Sequence, residues 1–155
     1  MHADIDGATR IVRLAAEFDW TWNPDDIPRF CETAGWEILS NDEGTFEIRT
    51  NLQIQRPDSS AYTRSHKVEY ITFPITNSNS QGSPFAESHE QALEILLDVS
   101  TTLSAFLGEP TSMFPAPDAK VQWHTSKLIV EAVELGDFAL IRLKSPEYQA
   151  WLDEP

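Results

Sequence analysis

From Ser83-Pro84 to the stop signal Gly108-Glu109-Pro110, apolar residues recur at helical spacing. At about 100° per residue, Phe85, His89, Ala92, Leu96, Val99, Leu103 and Leu107 fall on one stripe. The Ser-Pro start and the Gly-Pro end bound one long amphipathic helix. Glu87, Glu90, Glu94 and Asp98 fall on the opposite side, within a sector of roughly 80°. A helix with a single apolar stripe needs an extended partner to cover it, and the remaining segments read as strands that supply one.

A first helix is predicted from about Gly7 to Phe18, with Ile11, Val12, Leu14, Ala15 and Phe18 inward. A second is predicted to begin at Asn23 as N-cap, with Pro24 in its first turn and Asp25 and Asp26 at the positive end, and to stop at Gly35. Trp36 to Ser40 and Thr45 to Gln55 read as a hairpin around Asn41-Asp42-Glu43-Gly44. In its second strand Phe46, Ile48, Thr50, Leu52 and Ile54 share one face, and Glu47, Arg49, Asn51, Gln53 and Gln55 the other. His66 to Ile75 reads as a third strand, with Val68 and Tyr70 facing away from Ile71, Phe73 and Ile75. Pro74 marks its end or a sheet edge. Arg56 to Arg64 and Thr76 to Ser83 read as polar loops. After a proline-rich connection come a short strand at Val121 to His124, a hairpin of Leu128 to Leu135 with Phe138 to Lys144, and a last helical turn opened by Ser145-Pro146. The expected architecture is a single α+β domain over residues 1–155, an antiparallel sheet of five to six strands with helices packed on one face. Its order is α-α-β-β-β-α-β-β-(β)-α, similar at the level of element order to type III secretion chaperone-like domains.

Charge excludes several partner classes. The chain has 11 Lys and Arg against 25 Asp and Glu, a formal net charge of −14. Such a surface repels nucleic acid and anionic membranes, and it speeds capture of a basic protein. No Lys or Arg occurs between Lys67 and Lys120, so a share of the acidity is concentrated on the long helix. The alternative is that the acidity serves solubility alone. No apolar run approaches the roughly 20 residues of a membrane span, and the N-terminus lacks the features of a signal peptide. A lone cysteine, Cys31, fits a reducing compartment, and its place in a helix suits a small buried hydrophobe better than a reactive thiol. The expected location is cytoplasmic, with the chain a monomer or weak dimer.

Residues for chemistry are sparse. No phosphate-binding loop or nucleophile elbow occurs, and no cofactor is expected. His66 with Glu69, and His89 with Glu90, lack metal-ligand spacing. His89 lies on the apolar stripe, where a satisfied histidine outweighs a ligand. Glu131 and Glu134, three apart in a strand, point to opposite faces and form no acid/base pair. The chain therefore reads as a binding protein and not as an enzyme. Trp20 and Trp22 alternate along an extended segment, one expected buried and the other exposed as an interface anchor. Two core aromatics bracing a helix entry is the competing view.

Phe18-Asp19-Trp20-Thr21-Trp22, then Asp25-Asp26-Ile27-Pro28-Arg29-Phe30 and Ala34-Gly35-Trp36, form one group of landmarks. Leu107-Gly108-Glu109-Pro110, Val121-Gln122-Trp123 and the Leu128–Val133/Phe138–Leu143 hairpin form another. Together they resemble a family of small actinobacterial uncharacterised proteins that are similar to immunity proteins of secreted polymorphic toxin systems. The resemblance spans residues 10 to 145 and carries over no catalytic residue. It implies a protein that binds a cognate toxin domain, a nuclease or an NAD-consuming enzyme, and blocks its active site. The alternative is an acidic secretion chaperone holding an export substrate. The expected partner-binding residues are Glu87, Glu90, Glu94 and Asp98, then Trp20, Trp22, Asp25 and Asp26. The polar face from Glu47 to Gln55 is a third candidate.

Overall fold

A computed structural model describes residues 1–77 and 85–155. The predicted start of the long helix at Ser83-Pro84, and most of the Thr76–Ser83 loop, lie outside the described residues. Helices α1 (Ile5–Glu17) and α2 (Asp26–Ala34) precede the strands β1 (Glu37–Asp42), β2 (Thr45–Arg49), β3 (Asp58–Arg64) and β4 (Lys67–Pro74). The long helix α3 (Phe85–Leu107) leads to β5 (Ser112–Phe114), β6 (Lys120–His124), β7 (Ile129–Glu134), β8 (Ala139–Lys144) and α4 (Pro146–Leu152).

The fold class is α+β, as expected, but the sheet has eight antiparallel strands where five to six were expected. Its order is β1-β2-β3-β4-β8-β7-β6-β5: two meanders, each made of consecutive strands, joined edge to edge where β4 pairs with β8. The extra strands are β3, read from sequence as a loop, and β5 within the proline-rich connection. β3 escapes the pattern because its inward positions are small: Ser59 and Ala61 are buried, and the Ser59 hydroxyl donates to Thr72 O. Conversely, β2 stops at Arg49. Residues 50–57 leave the ladder and tie to the helices: Asn51 donates to Ala34 O and accepts from Arg10, and Gln53 N donates to Asp4 Oδ2.

The β1–β2 connection is tighter than expected. Glu43 and Gly44, with φ of 51° and 90°, form a two-residue loop of left-handed residues, the backbone whose twist matches antiparallel strands. A bulge modifies β4. Tyr62 pairs with Tyr70 but Thr63 pairs with Val68, so Glu69 is the extra residue. The bulge puts Val68 on the same buried side as Ile71 and Phe73, contrary to strict alternation, and leaves Tyr70 on the other face.

One sheet face carries the core. Ile71, Phe73, Val130, Ala132, Ile141 and Leu143 meet Ala92, Leu96, Val99 and Leu103 of α3 and the buried sides of α1 and α2. From Ala92 to Leu103 the stripe read from sequence is therefore the packed side of α3. Gly108, at φ 88°, ends that helix in the left-handed conformation that glycine tolerates. The expectation of helices on one face holds for α1 to α3. Short α4 instead meets the opposite face, through Tyr148 on Tyr70 and Gln149 on Lys144.

The entry to α2 differs from its sequence reading. Asn23 is not the N-cap: the helix starts at Asp26, and Asp25 precedes it without a side-chain cap. Asp26 is fully buried and turns backward. Its carboxylate accepts from Thr21 N (2.8 Å), Trp22 N (2.6 Å), Thr21 Oγ1 (2.8 Å) and Arg29 (2.7 Å). It thereby folds the tryptophan segment against the helices. Replacing Asp26 with Ala leaves these donors without an acceptor, a loss of about 2–4 kcal/mol of stability by the cost of buried unsatisfied groups. Asp26→Asn retains part of the acceptor set and is expected to cost less. Urea unfolding of both variants measures the difference, and equal stability of Asp26→Ala and the parent refutes this role.

Candidate functional site

The four carboxylates picked from the long helix all reach solvent. Glu87, Glu90, Glu94 and Asp98 are exposed, and none forms an ion pair among the described residues. Leu97 borders that sector of α3, about 20° beyond Glu90 at helical spacing, and is 62% exposed. The arrangement is an exposed apolar side chain at the edge of a band of carboxylates. His89, on the packed side, is satisfied: Nδ1 lies 3.0 Å from Gly136 O and 2.9 Å from Glu134 Oε1.

The tryptophan segment does not offer what its sequence promised. Trp20 is buried, with Nε1 donating to Ala15 O at 2.8 Å. Trp22 does not alternate away from it, because its φ of 63° turns the chain, and the two rings stack at 4.4 Å with 10° between planes. Asp26 is sealed beneath them, as described above. Trp20 and Asp26 are thus structural and have no surface for a partner. Asp25 is exposed and Trp22 half-buried. The polar strand face is also divided: Glu47 and Arg49 stay on β2, whereas Asn51, Gln53 and Gln55 belong to the segment that ties down the helices. The structure does not bring the α3 carboxylates and the tryptophan segment into a single patch described by any shared contact.

A polar cluster that sequence reasoning passed over lies on the sheet face away from α3. Glu131 is fully buried and accepts from Arg142 (2.9 Å), Lys144 (2.8 Å) and Gln122. Lys144 Nζ also donates to Gln149 Oε1 of α4 at 3.1 Å. Burial alone pushes the Glu131 carboxyl up, but the hydrogen bonds from Lys144, Gln122 and Arg142 and the nearby ammonium outweigh it and hold it below its ordinary value. Burial likewise pushes Lys144 down, more than Glu131 pulls it up. A hairpin centred on Gly136-Asp137 sets Glu131 opposite Arg142, so the pairing was legible from the turn position alone. Glu134 does point to the other face, as alternation predicted, and accepts from Gly136 N and Ala119 N. Cys31 is buried in α2 and its thiol is pushed up to about 11 by desolvation, which makes it a poor nucleophile at neutral pH.

Aromatic rings extend from this cluster. Tyr62 meets Tyr70 (4.9 Å), Tyr70 meets Tyr148 (5.5 Å) and Tyr148 meets Trp151 (6.0 Å), across β3, β4 and α4. Beside them opens a cleft of about 360 Å³, lined by Trp22, Arg64, Lys67, Glu69, Tyr148 and Trp151 among others. Among the described residues no group of three or more His, Cys, Asp or Glu is placed to hold a metal ion, and no helix is long and apolar enough to cross a membrane.

Glu131→Gln leaves two cations without their counterion and is expected to cost about 3 kcal/mol, the scale for breaking a buried pair on one side. Because the folded carboxyl titrates below its unfolded value of 4.5, its stabilisation is complete above that pH and disappears as pH falls through the lower folded value. The variant should therefore be less stable than the parent at neutral pH and converge with it in acid. Thermal unfolding across that range checks this; a constant difference at every pH contradicts it.

Comparison with known proteins adds a family and no activity. No curated protein matches the chain in sequence. Among solved structures, YjgB, a DUF4309 family protein from Bacillus subtilis, is similar at 14% identity over 92% of this chain and 95% of its own, with a TM-score of 0.45. That likeness is too loose to carry an argument about function. Nothing in the comparisons links the chain to immunity proteins or to chaperones. The sequence profile of one family matches residues 6–140, and the chain belongs to that family, DUF6301, whose function is unknown.

Proposed function

We propose that the chain is a protein-binding domain that captures and neutralises a basic protein, in the manner of an immunity protein with its toxin, through the solvent face of α3. The observation that carries this reading is Leu97, 62% exposed beside the band of Glu87, Glu90, Glu94 and Asp98, none of which forms an ion pair among the described residues. An exposed apolar residue flanked by charge supplies an interface with an apolar anchor beside a polar rim. Unpaired carboxylates at the rim accelerate encounter with a cationic surface more than they add affinity. The proposed binding residues are thus Glu87, Glu90, Glu94, Leu97 and Asp98. The α3 backbone is held rigid by its packing on β6, β7 and β8, so docking needs little reordering.

The cytoplasm suits this role, because the toxin must be met where it acts on the producing cell. A test is co-expression with the toxin domain encoded beside this chain's gene. Restored growth, with a co-purifying complex, is the expected result. Growth arrest with no complex sinks the immunity reading, and a complex formed only with an unfolded export substrate replaces it with the chaperone. Within such a complex, Glu90→Lys with Glu94→Lys should slow association about tenfold at low salt, with the difference shrinking as salt rises. Leu97→Ala should cost about 1–2 kcal/mol of binding while leaving the Tm nearly unchanged. Unaltered kinetics in both variants would remove α3 from the interface.

A further inference from the structure

The β3–β4 hairpin ends on two like charges. Arg64 and Lys67 are register partners on the last rung of that ladder, a placement that is destabilising on its own. The chain has 25 acidic and 11 basic residues, yet neither of these cations pairs with a carboxylate among the described residues. Lys67 Nζ donates to the neutral Asn23 Oδ1 at 3.2 Å, and the Arg64 guanidinium stands 5.9 Å from the centre of the Trp151 ring. Both side chains line the cleft of about 360 Å³, within the range of about 300–1,000 Å³ usual for small-molecule sites.

The walls of the cleft are aromatic. Trp151 is 55% exposed and is stacked on Tyr148, while Trp22 is half-buried. Trp22 holds a left-handed backbone, which costs a bulky residue on the order of 1–3 kcal/mol. Three contacts offset that cost: its N–H to Asp26, its stack on Trp20, and its indole N–H to Lys127 O at 2.9 Å. The indole is therefore fixed in the cleft by the fold and does not reach it by chance rotation. Glu69 and Glu147 also line the cleft, and their carboxylates form no ion pair among the described residues.

We propose that this cleft binds a small planar ligand carrying one anionic group, with Arg64 and Lys67 holding the anion and Trp22 and Trp151 the ring. Glu69 and Glu147 would accept from N–H donors on the ring. A phosphate or a carboxylate satisfies the same pair of cations, so the shared chemistry is a planar ring with a single anionic substituent. A polyanion is disfavoured, because the −14 charge of the whole chain repels extended phosphate backbones while the two cations act only locally. The site shares no lining residue with the α3 face and lies at the end of the β3–β4 hairpin, between the Trp22 segment and α4.

Calorimetric titration of the full chain tests this with two matched pairs of probes: adenosine monophosphate against adenosine, and indoleacetate against indole. At least one anionic probe should bind about tenfold or more tighter than its uncharged counterpart, the value of one charge-assisted contact. Preference for the monophosphate identifies a phosphate ligand, and preference for indoleacetate a carboxylate. Arg64→Met and Lys67→Met should each reduce that binding about tenfold, with an unchanged Tm as proof of folding, whereas Glu94→Lys should leave it intact. The proposal is overturned if neither anionic probe outbinds its uncharged partner, or if both folded Met variants bind as the parent does.

Discussion

Everything in this fold depends on the pairing of β4 with β8. Each meander alone has one apolar face and an open edge, and neither is wide enough to cover a helix as long as α3. The five rungs from Tyr70–Lys144 to Pro74–Leu140 turn the two into one continuous surface. Ile71 and Phe73 then lie beside Leu143 and Ile141 under the helices. Pro74 closes the seam at a strand end, where its missing N–H costs least.

The same seam governs the other face. It aligns Thr72 with Arg142 and Tyr70 with Lys144, which brings the tyrosines of the first meander beside the cations of the second. Burying Lys144 there, with Arg142 half-buried beside it, requires a counterion, and Glu131 on the neighbouring strand supplies it. α4 then packs over the junction, with Gln149 bonded to Lys144 and Tyr148 on Tyr70. The aromatic cleft exists because of this sequence of placements, since its wall of Tyr148 and Trp151 is carried by α4.

Sequence periodicity disclosed the helices and the strands with large inward residues, because burial of Ile, Leu, Val or Phe at fixed spacing is a strong constraint. It failed where burial is achieved by small side chains, as at Ser59 and Ala61 of β3, and where a strand is only three residues long, as β5 is. The exposed α3 carboxylates were legible, since a helix with one packed stripe must turn the other to water. Asp26 and Trp20 were misjudged for a common reason: composition marks a residue as polar or aromatic but not the direction of its side chain. Asp26 turned back toward Thr21 and Trp22, and a single left-handed residue at Trp22 undid the alternation expected there. The Glu131 cluster was accessible in principle, through the register imposed by the Gly136-Asp137 turn.

The distribution of basic residues has an electrical consequence. Arg64, Lys67, Lys120, Arg142 and Lys144 belong to the strands of the sheet and Arg10, Arg13 and Arg29 to α1 and α2, while the charged residues on the solvent side of α3 are the carboxylates Glu87, Glu90, Glu94 and Asp98. The solvent side of α3 is thus a local concentration of negative charge on a molecule that is negative overall. A diffusing cationic body is drawn toward this concentration of charge, which turns the α3 face to meet it before any atoms touch. Orientation then precedes contact, and the fraction of collisions that begin in the productive attitude rises without any change in the surface itself.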